Sequence, residues 1–333
     1  MHLTLSIPGL SWLDVHDGAE VAADLPLPAL ETLLGRGRLA VAPCPLSRRL
    51  AAPFGIDRLP LARAAAQLDG LASPGLWLLA DPVTWRIDRD RALLADAGVM
   101  AISQTEADAL IDALNRHFAA DGLAFHAPAP ARWYLSLSAP VEAAFHSLPD
   151  VVGENVDDFL PSGADGLRLS RLLNEAQMLL FTHPVNEARE ARGEPRINSL
   201  WLWGDGELPA LSKPAALYSD QPLHGMLARL SGGETRAAPW SFAALAAEGL
   251  PPHAWVELDR LLGAAQYRDA WGWREALQTL EQDWFQPLLQ ALRQGTLSSL
   301  SLLSCGERAI EARVERRDLW KFWRRAKTLT SLY

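Results

Sequence analysis

At 333 residues, with 49% apolar and 21% charged side chains, the chain has the composition of a folded globular protein and not of a disordered segment. A formal charge of -9 argues against nucleic-acid binding through the surface as a whole, because phosphates would be repelled. Cys44 and Cys305 stand far apart in no metal-type spacing, no apolar run reaches the roughly 18 residues of a membrane span, and no leader pattern precedes Pro8; a cytoplasmic setting without a membrane partner is expected.

The first strand is expected at Leu3–Ile7, ended by Pro8-Gly9. Helical runs follow near Ala29–Leu34 and Leu61–Leu68. Next comes a short buried-strand pattern, Leu76–Ala80, that Asp81-Pro82 is expected to stop. Ser103 and Glu106 have capping-box spacing and open a helix whose apolar face is Leu110, Ile111, Leu114 and Phe118. Arg132–Ser138 reads as a strand, and the apolar spacing from Leu169 to Leu180 marks a long helix closed by Pro184. Further strands are expected at Ile197–Trp203, Ala216–Tyr218, Ala254–Leu258 and Ser298–Leu303, with helical segments between them.

Strands separated by helices imply an α/β fold with a largely parallel sheet covered on both faces. Residues 85–196 have a helix–strand–helix pattern of their own and are expected to form a smaller inserted α+β domain, leaving 1–84 and 197–333 as the core.

His183-Pro184-Val185-Asn186, followed by Asn198, the strand to Trp203 and Gly204-Asp205-Gly206, resembles the archaeal-type cofactor-independent phosphoglycerate mutases of the alkaline phosphatase superfamily. Asp81-Pro82-Val83, Arg132-Trp133-Tyr134-Leu135 and the ending Arg317–Arg325 resemble more closely a bacterial group labelled RpfE-type regulatory proteins, themselves phosphoglycerate-mutase-like. The resemblance implies an alkaline-phosphatase-like core. It also implies a reaction in which two divalent metals, Mn or Zn, align a phosphoryl group and activate a Ser or Thr.

Against that pattern the chain departs repeatedly. Pro8 stands where the family has an Asp ligand, and Trp273 replaces the His after the retained Asp269. Ser304-Cys305 lies where an Asp-His pair would be, and Trp203 replaces an Arg before the Gly-x-Gly. Ser47 is one residue off the family's spacing from nucleophile to Gly55. Proline and tryptophan cannot ligate a hard cation, so the expectation is a chain without a metal cofactor that acts by binding or regulation. The alternative is an active mutase or phosphotransferase holding Mn or Zn through rearranged ligands, Asp14, His16 and Asp17 with Asp269.

A ligand site is expected at His183, Asn186, Asn198, Trp203 and Asp269, with a phosphorylated small molecule or a protein as the partner. Glu315–Lys327 combines six bases, two acids and three aromatic residues. It reads as a terminal helix with Trp320 and Trp323 buried against the core and its bases in water, or else as a surface for an anionic partner or a membrane.

Overall fold

A computed structural model of the protein describes residues 1–71, 75–88 and 91–333. Its strands are β1 His2–Ser6, β2 Arg38–Cys44, β3 Leu76–Asp88, β4 Arg91–Ala95, β5 Leu123–Ala129, β6 Arg132–Leu137, β7 Ser199–Trp203, β8 Leu217–Tyr218, β9 His253–Glu257, β10 Ser299–Leu303 and β11 Gly306–Glu315. The chain divides into two compact units, one made of residues 1–57 and 210–333 and the other of residues 58–209.

Among its described residues the first unit holds a six-stranded sheet in the order β2-β11-β10-β1-β9-β8. β1 is central and pairs in parallel with β10 (Leu3 opposite Leu300) and with β9 (Leu3 opposite Ala254). β9 pairs in parallel with β8. β11 runs back along β10 and β2 runs back along β11, so β11 alone opposes the common direction. The α/β reading with a mostly parallel sheet therefore describes this unit. Leu3, Leu5, Leu300, Leu302, Val256 and Ile310, which share one face of this sheet by their register, are all buried in its core.

One helix, Pro28–Arg36, is fastened at its start by a carboxylate from a segment about 250 residues further along the chain. A π-type turn at Glu281–Phe285 swings buried Glu281 inward, where its two oxygens accept the Ala29 and Leu30 amides at 2.7 and 3.1 Å. Those amides have no partner within their own helix, and a carboxylate there also suits the helix dipole.

The second unit carries an antiparallel sheet, β4-β3-β6-β5, with β7 on the other flank of β3. β3 does not stop at Asp81-Pro82 but runs from Leu76 to Asp88. Pro82 is opposite Leu200 of β7; on the far flank, β6 pairs as far as Leu79 and β4 resumes at Thr84. A proline lacking an N–H is tolerated where one flank of its strand needs no donor. Because β3 and β7 pair with each other, both lie in the second unit. The unit boundaries consequently fall at 57/58 and 209/210 instead of the expected 84/85 and 196/197.

The capping box at Ser103 and Glu106 is formed, and the helix it opens, Gln104–His117, buries Leu110, Ile111 and Leu114 against β3, β5 and β6 residues. Pro184 does not merely close the helix Gly166–Phe181. It opens the next one, Pro184–Ala191, at the first-turn position where a missing N–H costs nothing.

The C-terminal expectation is overturned. Residues 316–320 form a 3-10 turn, and Trp320 and Trp323 are exposed. The pairing of residues three apart needs a continuous α-helix, which this segment does not form. Among the described residues no helix is long and apolar enough to cross a membrane.

Candidate functional site

In a parallel sheet the strand ends that carry C-terminal residues converge on one edge, and ligands of α/β proteins bind there. In the first unit this edge gathers buried polar groups. Glu257, the last residue of β9, accepts the Ser6 hydroxyl at 3.1 Å and the Trp255 indole N–H at 3.1 Å. Burial pushes its pKa up to about 8, so near neutral pH it is a carboxylic acid and not a carboxylate.

Beyond β10, the Ser304 hydroxyl accepts the Ile310 amide at 2.7 Å and meets the Ser11 hydroxyl at 3.1 Å, while the Ser304 carbonyl accepts Arg49 Nε at 2.9 Å. Arg49 belongs to the short helix Leu46–Ala51, which also places Ser47, buried, in its first turn. Cys305 is buried beside Leu46 and Leu50, and that burial pushes its thiol pKa up to about 12.

His224 is buried in the helix Pro222–Leu230. Its Nε2 lies 3.0 Å from the Leu50 carbonyl, which can only accept, so Nε2 carries the proton and Nδ1 accepts the Ser219 hydroxyl at 2.7 Å. Burial lowers its pKa to about 4, and the ring is neutral. The edge is thus lined by a neutral acid, a neutral imidazole, serine hydroxyls and one guanidinium.

Three of the four residues singled out in the second unit, His183, Asn186 and Asn198, are committed to backbone. His183 caps its helix, with Nδ1 accepting the Val185 amide at 3.2 Å. Asn186 is fully buried: its Nδ2 donates to the Leu180 and Ile197 carbonyls, each at 2.8 Å, and its Oδ1 accepts the Ile197 amide at 2.8 Å. Asn198 bonds both the amide (2.8 Å) and the carbonyl (3.0 Å) of Trp85, in effect prolonging the pairing of β7 with β3.

The Trp203 indole donates to Asp81 Oδ2 at 2.8 Å, and burial pushes the Asp81 pKa up to about 7. Nearby, Asp69 receives two bonds from Arg132, at 2.6 and 2.8 Å, and one from the Tyr134 hydroxyl at 2.6 Å. A pocket of about 430 Å³ opens beside the Gly204-Asp205-Gly206 turn, lined by Arg63, Ala64, Gln67, Gly206, Glu207 and Leu208. His183, Asn186 and Asn198 do not line it. Replacing Asn186 by alanine should strand the buried Ile197 amide and cost about 1–3 kcal/mol in urea unfolding, and a loss of only a few tenths would show that this amide is not structural.

No protein-family model matches the chain. Among curated proteins, the 2,3-bisphosphoglycerate-independent phosphoglycerate mutase of Methanosarcina mazei is 30% identical over 203 residues, which is 57% of this chain and 51% of that protein. An enzyme of the same description from Methanothermobacter thermautotrophicus, its second, is 33% identical over 153 residues, 44% of this chain and 38% of that one. In sequence the chain is phosphoglycerate-mutase-like. It spans about half the length of the curated relatives it matches. A solved cofactor-independent phosphoglycerate mutase from Thermoplasma acidophilum aligns over 99% of this chain and 94% of its own, at 16% identity and a TM-score of 0.48.

A phosphoglycerate-mutase-like chain brings with it the question of metals, and the donors present do not suit a pair of divalent ions. At the end of β1, the Pro8 side chain has no ligating atom. The space beside it is taken by Trp273, fully buried, whose indole donates to the Gly9 carbonyl at 2.6 Å and meets the Trp12 ring edge-on at 5.5 Å. Asp269 caps the helix Ala270–Leu280, accepting the Gly272 amide at 3.0 Å. Cys305, buried beside Leu46 and Leu50, offers a soft sulfur and not the oxygen or imidazole that a hard cation takes.

Two members of the alternative set already accept internal hydrogen bonds. Asp14 accepts the His16 amide at 3.0 Å and Asp17 accepts the Trp12 indole at 2.7 Å. Among the described residues no three His, Cys, Asp or Glu side chains converge as a metal site would need.

The sequence reading missed Glu257, Arg49 and His224, and named Ser304 only as a departure from the family pattern. The one signal on offer was position: Glu257 and His224 lie at or after the ends of strands that it did locate, whereas the strand before Arg49, β2, was not among them.

Proposed function

We propose that this phosphoglycerate-mutase-like protein has lost two-metal catalysis and acts by binding or regulation, as the label of the RpfE-type group it resembles would suggest. The observation that carries this reading is Trp273. An indole bonded to the Gly9 carbonyl and packed on Trp12 fills the corner at the end of β1 with apolar bulk, where the family pattern calls for an imidazole and a carboxylate. Supporting it, the polar groups at this edge are already paired within the protein, His224 with the Leu50 carbonyl and the Ser219 hydroxyl, and Glu257 with the Ser6 hydroxyl and the Trp255 indole.

The ligand proposed for the edge is a small phosphorylated molecule, with Arg49 as the nearest cation and the serine hydroxyls as neutral donors.

The test joins metal content to turnover. After dialysis against manganese and against zinc, elemental analysis should find well under one metal per chain, and 3-phosphoglycerate should not be converted to 2-phosphoglycerate. Calorimetric titration with 3-phosphoglycerate, without metal, then measures binding directly. Stoichiometric metal together with turnover would establish the alternative, an active mutase with rearranged ligands such as Asp14, His16, Asp17 and Asp269.

A further inference from the structure

The segment Arg316–Lys327 carries Arg316, Arg317, Lys321, Arg324, Arg325 and Lys327 against a single acid, Asp318, on a chain whose formal charge is -9. Three large aromatic side chains stand among these bases in open solvent: Trp320 is 76% exposed, Phe322 80% and Trp323 68%. Leaving so much apolar area in water is unfavourable by roughly 25 cal/mol for each Å². Exposed apolar patches on soluble units commonly mark a contact surface.

The segment is not a loose tail. Its backbone is strapped to the helix Pro28–Arg36: the Arg36 guanidinium donates to the Lys321 carbonyl, the Arg324 guanidinium to the Gly37 carbonyl at 2.9 Å, and the Lys327 amide to the Glu31 carbonyl at 3.0 Å. At Gly35 a Cβ would collide with the Arg325 carbonyl oxygen, so the strap needs glycine beneath it. The aromatic side chains are therefore held outward by an ordered backbone, and little conformational entropy remains to be lost on contact.

Charge is distributed to suit an anionic surface. Arg317 pairs with Glu315 at 2.8 Å and Lys321 pairs with Asp318. Arg324, by contrast, is bonded to carbonyls, which leaves its charge uncompensated, and Arg324, Arg325 and Lys327 are all exposed beside the aromatics.

We infer that this strap is a docking surface for an anionic lipid bilayer. The indoles and the phenyl ring would sit at headgroup depth and the bases would meet lipid phosphate and carboxylate. Tryptophan favours that interface, and bases beside it add attraction that falls off within a Debye length. A single-stranded nucleic acid is the less suitable anion, because stacking wants ring faces laid open in sequence. Here Phe322 and Trp323 meet edge to face, at 80° and 5.3 Å.

Cosedimentation of the full chain with phosphatidylcholine vesicles, with and without phosphatidylserine, tests this. Binding is expected only to the mixed vesicles, and it should fade as salt is raised. A Trp320→Ala/Phe322→Ala/Trp323→Ala variant should lose at least tenfold in vesicle affinity with its thermal midpoint unchanged. Because an aromatic triple variant can disturb folding, Arg324→Gln/Arg325→Gln/Lys327→Gln provides a second route, each lost charge weakening binding roughly fivefold. No binding by the parent chain, equal binding by both variants, or tighter capture by a single-stranded oligonucleotide than by anionic vesicles would overturn the inference.

Discussion

Replacing Trp273 by alanine should destabilise the first unit by about 3–5 kcal/mol, the range for truncating a buried large aromatic side chain. The effect has two sources. The void left against Trp12 forfeits close-packed contacts, and the buried Gly9 carbonyl loses the donor now 2.6 Å away. The corner cannot readily collapse, because Gly9 sits at φ 80 with a hypothetical Cβ already 3.0 Å from the Leu261 carbonyl oxygen, which leaves the loop little room to move inward. Chemical denaturation of parent and variant at equal protein concentration measures the difference. A loss below about 1 kcal/mol would mean that water or a rearranged loop fills the site easily, and the argument that the indole replaces a polar centre would fail with it.

The second large effect is a pH dependence centred on Glu257. Its ordinary pKa of 4.5 is raised in the folded chain to about 8, chiefly by burial. A carboxyl whose folded pKa is raised holds its proton longer when folded than when unfolded. Its contribution is therefore complete below pH 4.5 and is lost as pH rises through 8.

Substitution of Glu257 by glutamine removes the ionisation while keeping the shape. The new amide can donate to Ser6 and accept from Trp255, since the serine hydroxyl is free to act as acceptor. Parent and variant should be nearly equal in stability at pH 5. At pH 9 the variant should be more stable by several kcal/mol, at roughly 1.4 kcal/mol for each pH unit between the two pKa values. Parallel stability curves across that range would show that Glu257 ionises as freely in the folded chain as in the unfolded one.

Much of the fold was legible because short-range chemistry decides it. The strands around Leu3–Ile7, Ala254–Leu258 and Ser298–Leu303, the Ser103–Glu106 capping box and the α/β order of elements all follow from local periodicity and from side-chain oxygens near loose amides. The resemblance carried by His183-Pro184-Val185-Asn186, Asn198 and Gly204-Asp205-Gly206, and the departures from it at Pro8, Trp203 and Trp273, were likewise visible as residue identities.

Partner choice was decided only in three dimensions. Pro82 reads as a strand stop, yet β3 continues through it: it pairs with Leu200 of β7, and among the described residues neither β6 nor β4 pairs with β3 between Leu79 and Thr84. That pairing also draws β3 and β7 into one sheet and moves the boundary between units. Asn186 and Asn198 have the side chains of ligand contacts, but whether an amide faces a ligand or a backbone depends on which chain segment packs opposite. Trp320 and Trp323 are spaced to share a helical face, and the strap over Gly35 turns them outward by denying them that helix. Composition and spacing act over a few residues, whereas burial and hydrogen-bond partners are set by segments hundreds of residues apart. For this reason the neutral Glu257, which needs burial by segments far away along the chain, could be found only in the folded chain.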